Sequence, residues 1–140
     1  MRRAAAALAA LALVVAGCGD DLEEFRGDLR PLEDRAQEQR AVIAAELRTA
    51  TLGSRSDAEA LRRDTAALAE TFEEIEQLEP PGDYEEPFAA YVRANDEIVR
   101  NLDRFAAAVA AGRVGGLRTA SRAVVADLGR SQSSRLRWLE

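Results

Sequence analysis

From Tyr84 to Val109 the chain places a core-type residue at every fourth and then every third position, without a gap. The series is Tyr84, Phe88, Tyr91, Asn95, Ile98, Leu102, Phe105 and Val109. Such spacing keeps one stripe of an α-helix facing a partner, and a strand, whose side chains alternate with period two, cannot use it. A helix of this kind is unstable alone and needs other apolar stripes against it. Its neighbours in sequence supply them. Leu61, Thr65, Leu68, Phe72, Ile75 and Leu78 follow nearly the same rhythm. Leu117, Ser121, Val124, Leu128 and Leu136 carry a fourth helix, and Leu29, Leu32, Ala36, Ile43 and Leu47 a first, interrupted at Gln39.

Breaks between these stretches are sharp. Pro80-Pro81-Gly82 stops the second helix, and Gly112 with Gly115-Gly116 marks the turn before the fourth. Helix one is expected from about Asp28 to Ala50, with Asp28 as its cap and Pro31 in the first turn. Ser56 with Glu59 reads as a capping box for helix two, and Asp83 with Glu86 repeats that arrangement before helix three. Short connections make consecutive helices antiparallel. The expected fold is therefore all-α, an antiparallel up-down four-helix bundle over residues 28–140. The alternative is a three-helix bundle with helix one loosely packed or detached.

The first seventeen residues follow another pattern. Arg2 and Arg3 precede Ala4 to Ala16, a run of thirteen uncharged residues rich in Ala, Leu and Val. A membrane-spanning helix needs about 20 apolar residues, so this run is short for that purpose. A basic start, a short apolar core and small residues at its end form a secretory signal. The run closes on Val15-Ala16-Gly17-Cys18, which resembles the lipobox of bacterial lipoproteins. The resemblance implies a diacylglycerol on the Cys18 sulfur, cleavage before Cys18, and a mature chain held at the extracytoplasmic face of the cell membrane. Residues 18–27, CGDDLEEFRG, then read as an acidic, solvated tether. Cys18 has no second cysteine in the chain to pair with. The stretch Leu78-Glu79-Pro80-Pro81, followed by a helix with aromatic anchors and an arginine-rich last helix, resembles small uncharacterised helical lipoproteins of actinobacteria.

Charge narrows the function classes. The whole chain has formal net charge −6 and contains neither Lys nor His. Nucleic acid is not expected as a partner, because phosphate backbones require clustered positive charge. With no His, serine triads and His-containing di-iron sites are absent, and a lipidated Cys18 has no free thiolate. Gly115-Gly116 lacks the Lys and Ser/Thr of a phosphate loop. The chain is therefore expected to be no enzyme, with no catalytic residues, no cofactor and no metal site. Glu73, Glu74, Glu76, Glu79, Asp83, Glu85 and Glu86 crowd the turn between helices two and three. They read as a solvated bundle end rather than a cation site, since nothing there resembles a calcium loop. Asp57 to Glu97 carries thirteen acids against three arginines, while Arg113 to Glu140 carries six arginines against two acids. That asymmetry is expected to bring Arg118, Arg122 and Arg130 near the acidic helices.

Asn95 interrupts the apolar stripe of helix three. A buried Asn sets helix register at some cost in stability; the other reading puts it in a small-ligand or cation cavity with Tyr84 or Tyr91. Arg135, Arg137 and Trp138 suit a lipid headgroup layer, and an up-down bundle would return them beside the lipidated end. The expected role is an envelope interaction or structural module, anchored to membrane lipid through Cys18, with an envelope protein as partner. A carrier or sensor binding a small molecule or cation between helices is the alternative.

Overall fold

The computed structural model describes residues 18–139, with side-chain positions for residues 21–128, Arg130 and Ser131. Four α-helices follow one another: α1 Cys18–Thr49, α2 Arg55–Glu76, α3 Glu85–Ala110 and α4 Val114–Leu139. A 3-10 turn, Gly82–Tyr84, leads into α3. No strand occurs among the described residues. The signal segment 1–17, including Val15, Ala16 and Gly17, lies outside the described residues, as do the side chains of Cys18, Arg135, Arg137 and Trp138.

Consecutive helices pack against each other, α1 on α2, α2 on α3 and α3 on α4. Long-range bonds set their antiparallel sense. Arg35 in the middle of α1 reaches Glu74 near the end of α2 at 2.7 Å, and Gln39, four residues further along α1, donates to the carbonyl of Ala67, seven residues earlier in α2, at 3.1 Å. The chain is an all-α helical bundle of four helices, and α1 belongs to it: Leu29, Ala36 and Ile43 are buried in the common core. The alternative with helix one detached is thereby set aside. The stripe of α3 is the central wall, with Phe88, Tyr91, Ile98, Leu102, Phe105 and Val109 all buried.

The stretch 18–27 is not a solvated tether. It forms the first turns of α1, because Phe25 is buried and meets the Phe88 ring edge-on at 5.4 Å and 82°. Leu22 packs against the same core. Aromatic burial here outweighs the acidic composition that suggested solvation. The helix therefore starts ten residues before the expected Asp28, and Pro31 stands inside it, exposed to solvent.

Three further boundaries differ. The cap of α2 is Ser54, not Ser56: its hydroxyl accepts the Asp57 N–H at 3.2 Å, and the Asp57 carboxylate takes the Thr51 N–H at 2.8 Å. The cap of α3 is Tyr84 and not Asp83, and it makes no side-chain cap bond; Gly82–Tyr84 is a 3-10 turn in which the Tyr84 N–H donates to the Pro81 carbonyl at 2.7 Å. Gly115 and Gly116 belong to the first turn of α4 rather than to the loop. Gly112 alone makes that turn, at φ 62°. A Cβ on Gly116 would lie 3.2 Å from the Ala108 Cβ, so the missing side chain lets α4 approach α3 closely. At this end Gly53, at φ 83°, donates its N–H to the Val109 carbonyl at 2.7 Å and joins the α1–α2 turn to the end of α3.

Candidate functional site

The buried stripe of α4 is Ala120, Val124, Asp127 and Ser131, with Leu117 and Leu128 only half-buried and Ser121 exposed. This corrects the expected stripe by a rotation of the helix. Two polar residues face inward, and each meets a partner from α3.

Asn95 is 1% exposed. Its carbonyl oxygen accepts from the Ser131 hydroxyl at 2.9 Å and from the Arg40 guanidinium at 3.2 Å. Arg40 comes from α1, lies over the Phe72 ring of α2 at 5.2 Å and also reaches the Ser131 oxygen at 3.5 Å. One amide oxygen thus connects α1, α3 and α4 with a cation stacked on α2. A slip of either helix by one residue would turn these groups away, which is how a buried polar contact sets register. Tyr91 is fully buried beside Phe88, while Tyr84 remains half-buried in the 3-10 turn. Asn95 and Tyr91 both lie inside the bundle, but the acceptor of Asn95 is engaged by protein.

The second polar contact is Asn101 with Asp127, the latter fully buried. The Asn101 amide donates to one Asp127 oxygen at 2.5 Å, and Arg130 pairs with the other. Arg104 donates to the Asn101 carbonyl at 2.9 Å. Arg130 does lie near the acidic helix α3, where the Arg100 hydrogen bond first and then, among other charges, that of Arg130 lower the pKa of Glu97, but its ion pair is elsewhere. Arg130 pairs with Asp127 of its own helix, and Arg118 and Arg122 are exposed with no ion pair among the described residues. Neither Asp127 nor Asn101 stood out in the sequence. The signal available was position: Asn101 follows Asn95 and Ile98 by steps of six and three, and Asp127 lies three residues beyond Val124.

All seven acids of the α2–α3 turn are exposed. Among the described residues no group of three or more His, Cys, Asp or Glu stands close enough together to hold a metal ion. No helix among them is long and apolar enough to cross a membrane. At the opposite end, Glu46 of α1 shares a hydrogen bond with the Asp64 carboxyl of α2. Burial first, then the Asp64 charge and that bond, raise its pKa above the usual glutamate value. Asp57 shifts the other way, held down chiefly by the Thr51 N–H. Two cavities open at this end. One of about 180 Å³ is lined by Glu46, Thr49, Ala50, Asp57 and Ala60; another of about 460 Å³ lies between α3 and the start of α4.

Comparison of the chain with protein-family models, with curated proteins and with solved structures found no match.

Proposed function

We propose that this protein is a lipid-anchored, extracytoplasmic helical bundle that presents its surface to another protein of the cell envelope. The observation that carries the reading is the sequence Val15-Ala16-Gly17-Cys18 at the end of an uncharged run behind Arg2 and Arg3. Two structural features support it. Helix α1 begins at Cys18, so an acyl group on its sulfur would join a stiff rod whose packing starts at Leu22 and Phe25. The described helices are too polar to span a bilayer, so in this reading the lipid supplies membrane attachment. The mechanism is display rather than chemistry. The chain holds no His, and the Asn95 carbonyl, the Asn101 amide and the Asp127 carboxylate are engaged between α3 and α4.

The test is metabolic labelling of cells producing the full chain with an alkyne fatty acid, followed by membrane fractionation. Wild type should carry the label and sediment with membranes, and Cys18→Ala should lose both. An unlabelled wild-type protein would overturn the reading. Under the same proposal Arg135, Arg137 and Trp138 touch the headgroup layer. Unlipidated protein should then bind anionic vesicles more tightly than the same protein lacking residues 135–140.

A further inference from the structure

The cavity between α3 and the first turns of α4, about 460 Å³, is walled by Arg104 and Arg113, with no carboxylate along it. This is unusual in a chain with 25 acids against 19 basic residues. Neither cation is in an ion pair among the described residues, which is also true of Arg118 and Arg122, but Arg104 and Arg113 are the arginines that line this cavity. Arg35, Arg63, Arg100 and Arg130 are each neutralised by an acid within their own pair. Arg104 is instead held by a neutral group, the Asn101 carbonyl at 2.9 Å. Asn101 is itself 5% exposed and fixed from behind by Asp127. The guanidinium is therefore oriented by a neutral acceptor, although its charge also acts on Glu97 of the same helix. Arg113 stands at the rim where α4 begins, exposed and with no acid partner among the described residues. Between them the floor is small and apolar, formed by Ala107, Ala120 and Ala123, with Gly116 leaving room.

We propose that this groove binds a small organic phosphate ester, its phosphoryl oxygens between Arg104 and Arg113 and its apolar body on the alanine floor. Planar guanidinium groups match phosphate oxygens in paired hydrogen bonds, and a preoriented cation loses less freedom on binding. A cavity of this volume falls in the range of small-molecule sites, about 300–1,000 Å³. The start of α4 adds positive potential at the same rim. The site stands at the end of the bundle opposite Cys18 and does not depend on lipidation.

The experiment titrates the full chain, in detergent, with phenyl phosphate and, in a separate detergent-free arm, the full-length Cys18→Ala chain with phosphatidylglycerol vesicles, following amide shifts of Gly115 and Gly116 by NMR. Phenyl phosphate should give saturable shifts that weaken as ionic strength rises. Arg104→Gln and Arg113→Gln should each weaken binding about tenfold or more, while Arg122→Gln, on α4 but off the groove, should leave it within about twofold. Because Arg113 is exposed and unpaired, its variant keeps the fold, which an unchanged thermal midpoint verifies. Saturation by vesicles through the same two arginines would identify a lipid headgroup as the source of the phosphate ester. No saturable shift in either arm would overturn the proposal, as would an equal loss in Arg122→Gln, which would reduce the effect to general surface charge.

Discussion

Single side chains inside this bundle decide more than their number suggests. Asn95 was legible as an exception on an otherwise apolar stripe, yet its partners Ser131 and Arg40 lie 36 and 55 residues away in the chain. No spacing rule reaches that far. Replacing Asn95 with Ala leaves the Ser131 hydroxyl without its acceptor and takes one partner from Arg40, at a cost of about 1–3 kcal/mol. Chemical denaturation should register it as a lower midpoint with an unchanged slope. Asp127 belongs to the same class, a buried carboxylate whose partner Asn101 lies 26 residues away in the chain. Glu46 gives the pH dependence its sign. Its folded pKa is raised above the unfolded value, chiefly by burial, so it contributes stability below the ordinary glutamate range that is lost as pH rises through the folded value. Glu46→Gln should therefore be more stable than wild type near neutrality and indistinguishable from it well below the glutamate range. Asp57 opposes this, since its lowered value contributes stability that disappears as pH falls. Melting curves of wild type and Glu46→Gln across pH separate the two.

The helices themselves were readable from periodicity, and their interior lengths match the expected stretches for α2 and α3. Boundaries were less so, because a boundary depends on which competing cap wins. Ser54 and Ser56 are both plausible caps two residues apart, and only the Thr51 N–H, brought to Asp57 by the turn, favours Ser54. Ser54→Ala should cost about 1 kcal/mol, and Ser56→Ala much less, on thermal unfolding. The start of α1 is the clearest case. Gly27 and Pro31 both weaken a helix, by about 1 and 3 kcal/mol relative to Ala, and their presence argued for a later start. Phe25 against Phe88 and the buried Leu29 overcome that local preference through contacts invisible to a window of neighbouring residues. A Cβ on Gly27 meets nothing within 4 Å, so Gly27→Ala should stabilise the protein by about 0.5–1 kcal/mol. A loss of stability on calorimetry would show that α1 is not continuous through this residue.

At the scale of the whole molecule, the order of the helices divides the charge between two ends. The α2–α3 turn brings its seven exposed acids to the end where α1 begins, while Arg104, Arg113 and Arg118 gather around the α3–α4 turn. Like charges crowded at one end oppose compaction. Raising ionic strength from about 0.01 to about 0.15 M shortens the screening length from about 30 to about 8 Å and should raise the thermal midpoint. A falling midpoint would mean that surface pairs such as Arg35–Glu74 outweigh the repulsion. The sequence alone determined that the chain is all-helical, where its helices break, and which stripe of α3 faces inward, because each of these rests on spacing within a few turns. It also carried the N-terminal pattern on which the anchoring proposal rests. The tertiary structure decided the rest: that residues 18–27 are helix, that α4 turns Asp127 and Ser131 inward, and that Arg104 and Arg113 share one groove. Those outcomes depend on contacts between residues far apart in the chain, and burial against a partner helix outweighs the local preferences that a linear reading can weigh.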